Sequence, residues 1–181
     1  MKIRLAADLQ EDSIVDGKGI RTVIWTQGCS HNCPYCHNPG THDFNGGELV
    51  DIEDVIERLE NLTGQDGVTF SGGDPMFQPK ACSILAKKVH ELGMNVWTYT
   101  GFTFEELLNK GNKDILEFLK NTDVLIDGKF EIDKKSMDLE FRGSSNQRII
   151  DVAKSLEKNK VVLYNLNNNI EKIVKKEAIY I

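Results

Sequence analysis

Three observations predict an α/β fold built around a parallel sheet. From Ile20 onward, β-branched and aromatic runs alternate with amphipathic helical stretches, the pattern of βαβ units. A cysteine-rich and a glycine-rich segment each follow a strand-like run directly, where folds of this class place their ligand sites. The length, 181 residues, suits about one domain and falls short of a complete eight-fold barrel, which takes ~250 residues.

The elements follow in order. Met1 to Ala7 reads as a strand and Ser13 to Asp16 as the return of a hairpin. Ile20 to Thr26 is β-branched and aromatic, hence a buried strand. Asp51 to Leu62 is an amphipathic helix with Ile52, Val55, Ile56 and Leu59 on one face, stopped by Gly64. Gly67 to Phe70 is a short strand leading into Ser71-Gly72-Gly73-Asp74-Pro75. Pro79 to Leu92 is a second helix, with Cys82, Leu85, Ala86 and Val89 along one side. Met94 to Thr100 is a strand, and Thr103 to Glu106 is a capping box that opens a short helix. Asp114 to Lys120 is helical, and Asp123 to Asp127 is a strand that Gly128 to Glu131 continues. Arg148 to Lys158 reads as a helix and Val161 to Tyr164 as a last strand. Trp25 and Trp97 lie in strands and read as core, while His42 and His90 read as surface or satisfied side chains. Residues 1–164 then form one domain. Residues 165–181 form a tail rich in lysine and asparagine, either a frayed end or a basic contact for an acidic partner.

Composition excludes several classes. The net charge of −6 argues against bulk nucleic-acid binding and against an anionic membrane surface. The longest apolar run is four residues, Val161 to Tyr164, against the ~20 of a membrane-spanning helix. The N-terminus has no secretory apolar core, so a cytoplasmic location is expected.

The chemistry concentrates in Cys29-Ser-His-Asn-Cys33-Pro-Tyr-Cys36-His37-Asn-Pro. Three thiols at C-x3-C-x2-C spacing on one short loop read as a metal centre rather than a disulfide framework. The residues leave three forms open. One is a zinc site completed by His37 or His31. Another is an electron-transfer iron–sulfur cluster that uses Cys82 as fourth ligand. The third is a 4Fe–4S cluster held by three cysteines, with one iron open to substrate or cofactor. Cys82, on the apolar face of its helix, reads as core.

This spacing, with Tyr35 before the third cysteine, resembles the signature of radical S-adenosylmethionine enzymes. Asp16 to Arg21 (DGKGIR) resembles the DGxGIR stretch of glycyl-radical-enzyme activases, and Cys36-His37-Asn38 their CHN segment. Ser71 to Pro75 resembles their glycine-rich cofactor loop. Arg142 to Arg148 (RGSSNQR) resembles a segment of one subgroup, the activating proteins of anaerobic ribonucleoside-triphosphate reductases. The likeness covers residues 1–164.

The resemblance implies a partial (β/α)6-type open barrel with a mostly parallel sheet, of about six strands and open on one side. It implies that Cys29, Cys33 and Cys36 hold a 4Fe–4S cluster whose fourth iron takes S-adenosylmethionine. One-electron reduction then cleaves the sulfonium, and the resulting radical removes a hydrogen atom from a glycine of the reductase. Tyr35, Cys36 and His37 would flank the adenine side of that cofactor. The backbone of Gly72 and Gly73 would approach its amino group, Asp74 would accept from the ammonium beside Pro75, and Lys129 would add a contact. Arg142 and Arg148 would dock the reductase, and a flavodoxin or ferredoxin would supply the electron. Other readings are an activase of a formate-lyase-type enzyme, a small-molecule enzyme such as a deazapurine synthase, and a zinc-bound interaction module.

Overall fold

The computed structural model describes residues 1–167. Within these, eight strands form one sheet: β1 (Lys2–Leu5), β2 (Gln10–Ser13), β3 (Arg21–Thr26), β4 (Glu48–Asp51), β5 (Gly67–Gly72), β6 (Asn95–Tyr99), β7 (Val124–Asp127) and β8 (Arg148–Asp151). The helices are α1 (Ile52–Glu60), α2 (Pro79–Glu91), α3 (Phe104–Asn109), α4 (Lys113–Lys120) and α5 (Val152–Lys158). The sheet order is β4-β1-β3-β5-β6-β7-β8, with β2 on β3. The central run β3-β5-β6-β7 is parallel, and β1, β2, β4 and β8 extend it antiparallel at its two ends. None of the described helices is long and apolar enough to cross a membrane.

Alternation along each central strand gives the sheet two buried faces. Ile24, Val68, Phe70, Val96, Leu125 and Ile150 face the helices, joining Val55 and Leu59 of α1, Leu85 and Val89 of α2, and Phe118 of α4 in one core. Phe70 and Phe118 meet edge to face at 5.3 Å. Trp97, Val124, Ile126 and Ile149 face the other way and are covered by Tyr99, Phe141, Tyr164 and Leu166. The Thr103 capping box forms as expected: Thr103 Oγ1 accepts from the Glu106 N–H, and Glu106 Oε2 accepts from the Thr103 N–H.

Four expectations are corrected. β1 and β2 do not pair as a hairpin; β1 takes the C-terminal end of β3 (Leu5 with Thr26) and β2 its N-terminal half, so one strand edge serves both. Arg148 to Asp151 is a strand rather than the start of a helix, because Ile149 and Ile150 bury on opposite faces beside β7. Asp151 then caps α5 by accepting from the Lys154 N–H. Gly128, at φ +96°, turns the chain out of β7, so Gly128 to Glu131 does not continue it. Val161 to Tyr164 contributes only a bridge between Leu163 and Ile150. Of the tail, residues 165–167 lie on the fold: Leu166 packs near Trp97, and its carbonyl accepts from Lys18 Nζ at 2.7 Å. The rest of that expectation falls outside the described residues.

Candidate active site

The loops after β3, β5, β6 and β7 enclose a cleft of about 730 Å³ at the C-terminal edge of the parallel strands. Its floor is the uppermost inward row of the sheet, Trp25, Ser71 and Tyr99. The cysteine loop is pinned at its base. Gly28 N–H donates to Thr41 O at 2.8 Å and Cys29 N–H to His42 O at 3.1 Å. The buried Gln27 amide donates to Gly40 O and Asp43 O. Left-handed backbone at Asn32 and Tyr35 winds the loop between the cysteines.

Cys29, Cys33 and Cys36 all line this cleft and all are partly exposed, whereas Cys82 is buried in the helical core. Burial pushes the Cys29 thiol up to about 11, offset by a hydrogen bond from the His31 backbone N–H. Burial raises Cys33 too, against the Phe130 N–H and the Lys129 charge. Among the described residues no group of three His, Cys, Asp or Glu side chains could hold a metal ion. The three thiols line one cleft. That arrangement, with the Asn38 N–H donating to Cys36 Sγ at 3.4 Å, suits a polynuclear iron–sulfur cluster.

Of the residues singled out from sequence, Cys29, Cys33, Cys36, His37, Gly72 and Gly73 line the cleft; Tyr35, Asp74, Pro75 and Lys129 do not. Tyr35 is 78% exposed. His37 packs on Phe130, with ring centroids 4.6 Å apart. Lys129 is exposed, and its carbonyl accepts from Asn146 Nδ2. Asp74 is 1% exposed and presents no acceptor to the cleft, because its oxygens already take Met76 N–H, Thr100 Oγ1, Gly101 N–H and His31 Nε2. Pro75 is buried in the turn that Asp74 caps. Gly72 has φ +103°, and a Cβ there would stand 2.4 Å from Thr26 O; the close approach of the end of β5 to its parallel neighbour β3 itself demands glycine.

The far wall of the cleft is made by Leu139 to Gly143 and Gln147 of the long β7–β8 segment; the sequence singled out Arg142 to Arg148 there as a docking segment, but not Leu139 to Phe141. Tyr99 Oη donates to Phe141 O at 2.9 Å, and Gln147 Nε2 donates to Gly128 O at 3.0 Å, which hold that wall. Arg142 faces the cleft, with Nη1 donating to Gln147 O. Arg148 does not; its guanidinium pairs with buried Asp127 and with Glu105. Thr100 and Gly101 also enter the site, a contribution that their place after a strand foreshadows.

The site thus belongs to the class of proteins that carry one iron–sulfur cluster: a family profile described as a 4Fe-4S single cluster domain matches residues 15–150. The chain is 37% identical over 142 residues to the anaerobic ribonucleoside-triphosphate reductase-activating protein of Salmonella typhimurium, covering 74% of this chain and 90% of that one. It is 35% identical over 141 residues to the protein of that name from Enterobacteria phage T4, covering 75% and 86%. It is also 35% identical over 123 residues to a pyruvate formate-lyase-activating enzyme of Clostridium pasteurianum, covering 65% of this chain and 49% of the relative. The chain belongs to the family of anaerobic ribonucleoside-triphosphate reductase-activating proteins.

Proposed function

We propose that this chain activates an anaerobic ribonucleoside-triphosphate reductase by generating a glycyl radical on it. The observation that carries this reading is the opening of three thiols of one loop into the cleft bounded by the ends of β3, β5, β6 and β7. Cys29, Cys33 and Cys36 would hold the 4Fe–4S cluster, and S-adenosylmethionine would lie between it and the loops after β5 and β6. When bound, these groups supply reductive cleavage of the sulfonium and the radical that removes the glycine hydrogen.

The protein's share is to bind, orient and shield. The peptide edge of Gly72 and Gly73 lines the cleft without side chains, so the polar end of the cofactor would meet backbone there, the Gly73 N–H itself being held by Thr26 O at 2.7 Å. Trp25 and Tyr99 form a largely apolar floor, and His37 on Phe130 forms a side wall for a planar ring. Phe141, Leu139, Ile14 and Val15 line the opposite side, which keeps water from a reactive carbon and offers apolar surface to an incoming loop. No acid–base pair is assigned, because a hydrogen atom moves rather than a proton. A flavodoxin or ferredoxin would supply the electron, and the reaction would run without oxygen in the cytoplasm.

The test is electron paramagnetic resonance of an anaerobic mixture of iron-loaded protein, reductant, S-adenosylmethionine and the reductase. A glycyl-radical doublet that disappears with Cys33→Ala is the expected result. Cofactor cleavage without a doublet would remove the reductase as substrate, and a colourless, iron-free protein would return the site to zinc. The clostridial relative favours one second reading, activation of a formate-lyase-type enzyme. Exchanging the reductase for that enzyme in the same assay separates the two.

A further inference from the structure

His31 lies inside the cysteine loop, between Cys29 and Cys33. Its side chain is only 7% exposed, and Nε2–H donates to Asp74 Oδ2 at 2.7 Å. The same oxygen accepts from Thr100 Oγ1 and from the Gly101 N–H, both at 2.9 Å. The other oxygen accepts from the Met76 N–H at 2.9 Å. One buried carboxylate therefore gathers the loops that follow β3, β5 and β6. Aromatic neighbours fix the imidazole: Phe102 meets it edge-on at 4.4 Å and Phe77 lies 5.8 Å away. Gly101 leaves room for it, since a Cβ there would stand 2.5 Å from His31 Cδ2. His31 itself stands two positions from each of the thiols that flank it, Cys29 and Cys33. It thus has its ring on Asp74 and its peptide in the loop that carries the three thiols.

We propose that His31 is a positioning residue that latches the cysteine loop to the β5 and β6 loops through Asp74, and that Asp74 acts through this latch rather than on a molecule in the cleft. The relevance to a cluster rests on the function proposed above; the latch itself is a property of the metal-free chain. A hydrogen bond to a buried carboxylate is among the stronger ones a protein makes. Its loss frees Cys29 to Cys36 to fluctuate, and with them the Asn38 N–H that donates to Cys36 Sγ at 3.4 Å. Donors to a cluster's sulfurs are one of the levers on its potential, so the iron-loaded protein should become harder to reduce.

Two substitutions separate the bond from the packing. His31→Phe keeps a ring among Phe77 and Phe102 without the N–H. His31→Gln returns an amide donor near the position of Nε2. Amide hydrogen exchange on the full-length metal-free chain is the first readout. His31→Phe should speed exchange within Cys29 to Cys36 by about tenfold or more, and His31→Gln should recover most of that protection. Asp74→Asn should act alike, with the double variant no worse than either single one. In the iron-loaded protein, His31→Phe should lower the reduction potential, with His31→Gln near wild type. Unchanged exchange in His31→Phe would overturn the latch, and this variant carries the test should Asp74→Asn fail to fold. Weakened S-adenosylmethionine binding in Asp74→Asn with wild-type loop exchange would also overturn it, since Asp74 would then face the cofactor directly. A chain that takes up no iron but keeps the His31→Phe effect would overturn the cluster reading and leave the latch standing.

Discussion

Arg21 sits at the start of β3 and is fully buried at 0% exposure, and among the described residues it forms no ion pair with a carboxylate. Nε donates to Thr69 Oγ1 at 2.7 Å. Nη1 donates to Lys18 O at 3.0 Å and Asn95 Oδ1 at 2.8 Å, and Nη2 to Val68 O at 2.8 Å and Asn95 O at 3.3 Å. The guanidinium carbon lies 5.3 Å from the Trp97 ring centroid. Replacing Arg21 by methionine keeps the bulk and removes every donor. Leaving Lys18 O, Thr69 Oγ1 and Asn95 Oδ1 short costs roughly 2 kcal/mol each, about 6 in all. The two strand carbonyls are set at zero, since strand carbonyls have ladder partners. Against this, burial holds the guanidinium at about 10 instead of 12.5, and relief of that charge returns about 3 kcal/mol. The net loss is about 3 kcal/mol, a fall in Tm of roughly 6–12 °C for a chain of this size. Circular dichroism melting of the metal-free protein measures it. A fall below about 2 °C would refute the reasoning, because desolvation of the cation would then cancel its hydrogen bonds.

Other consequences follow from single contacts. Gly72→Ala puts a Cβ 2.4 Å from Thr26 O at φ +103°; it should cost about 3 kcal/mol or more, seen as lost solubility or a lower Tm. Arg148 holds the Glu105 carboxyl below its usual 4.5. The native pKa lies under the unfolded one, so this contribution is present above pH 4.5 and is lost as pH falls through the native value. Glu105 is about half exposed, so Glu105→Gln should lose at most about 1 kcal/mol at neutral pH. Urea titrations should show that difference closing as the pH falls below 4.5 and through the native value. Cys82→Ala should cost about 1 kcal/mol as a small core cavity and leave iron per chain unchanged; a loss of iron would make Cys82 a ligand.

Arg21 and Asp74 belong to two of the motifs that carried the family resemblance, and both turn out to hold strands and loops together. The glycines beside Asp74 also serve two ends at once, since Gly72 yields to the backbone of β3 while it lines the cleft. A motif read along the chain records which residue types are needed, but not which neighbour needs them. Tyr35 shows the same limit: it adjoins a cluster ligand in sequence, yet the left-handed turn at its own φ of +57° carries its ring out of the cleft.

The sequence by itself determined the α/β class, the helices, the central strands and the three-thiol loop. Each of these depends on local periodicity, capping, or spacing within a dozen residues. Tertiary structure alone decided what depends on pairing across long gaps. β1 and β2 share one edge of β3 because strand partners are set by the whole sheet rather than by the intervening turn. Arg148 to Asp151 extends because β7 offers an edge and Ile149 and Ile150 have an apolar layer on either face; without those layers the same residues read as helix. The His31–Asp74 bond, 43 positions apart, exists because parallel strands bring their C-terminal loops to one edge. A carboxylate shut out of water there takes whatever donors that edge supplies.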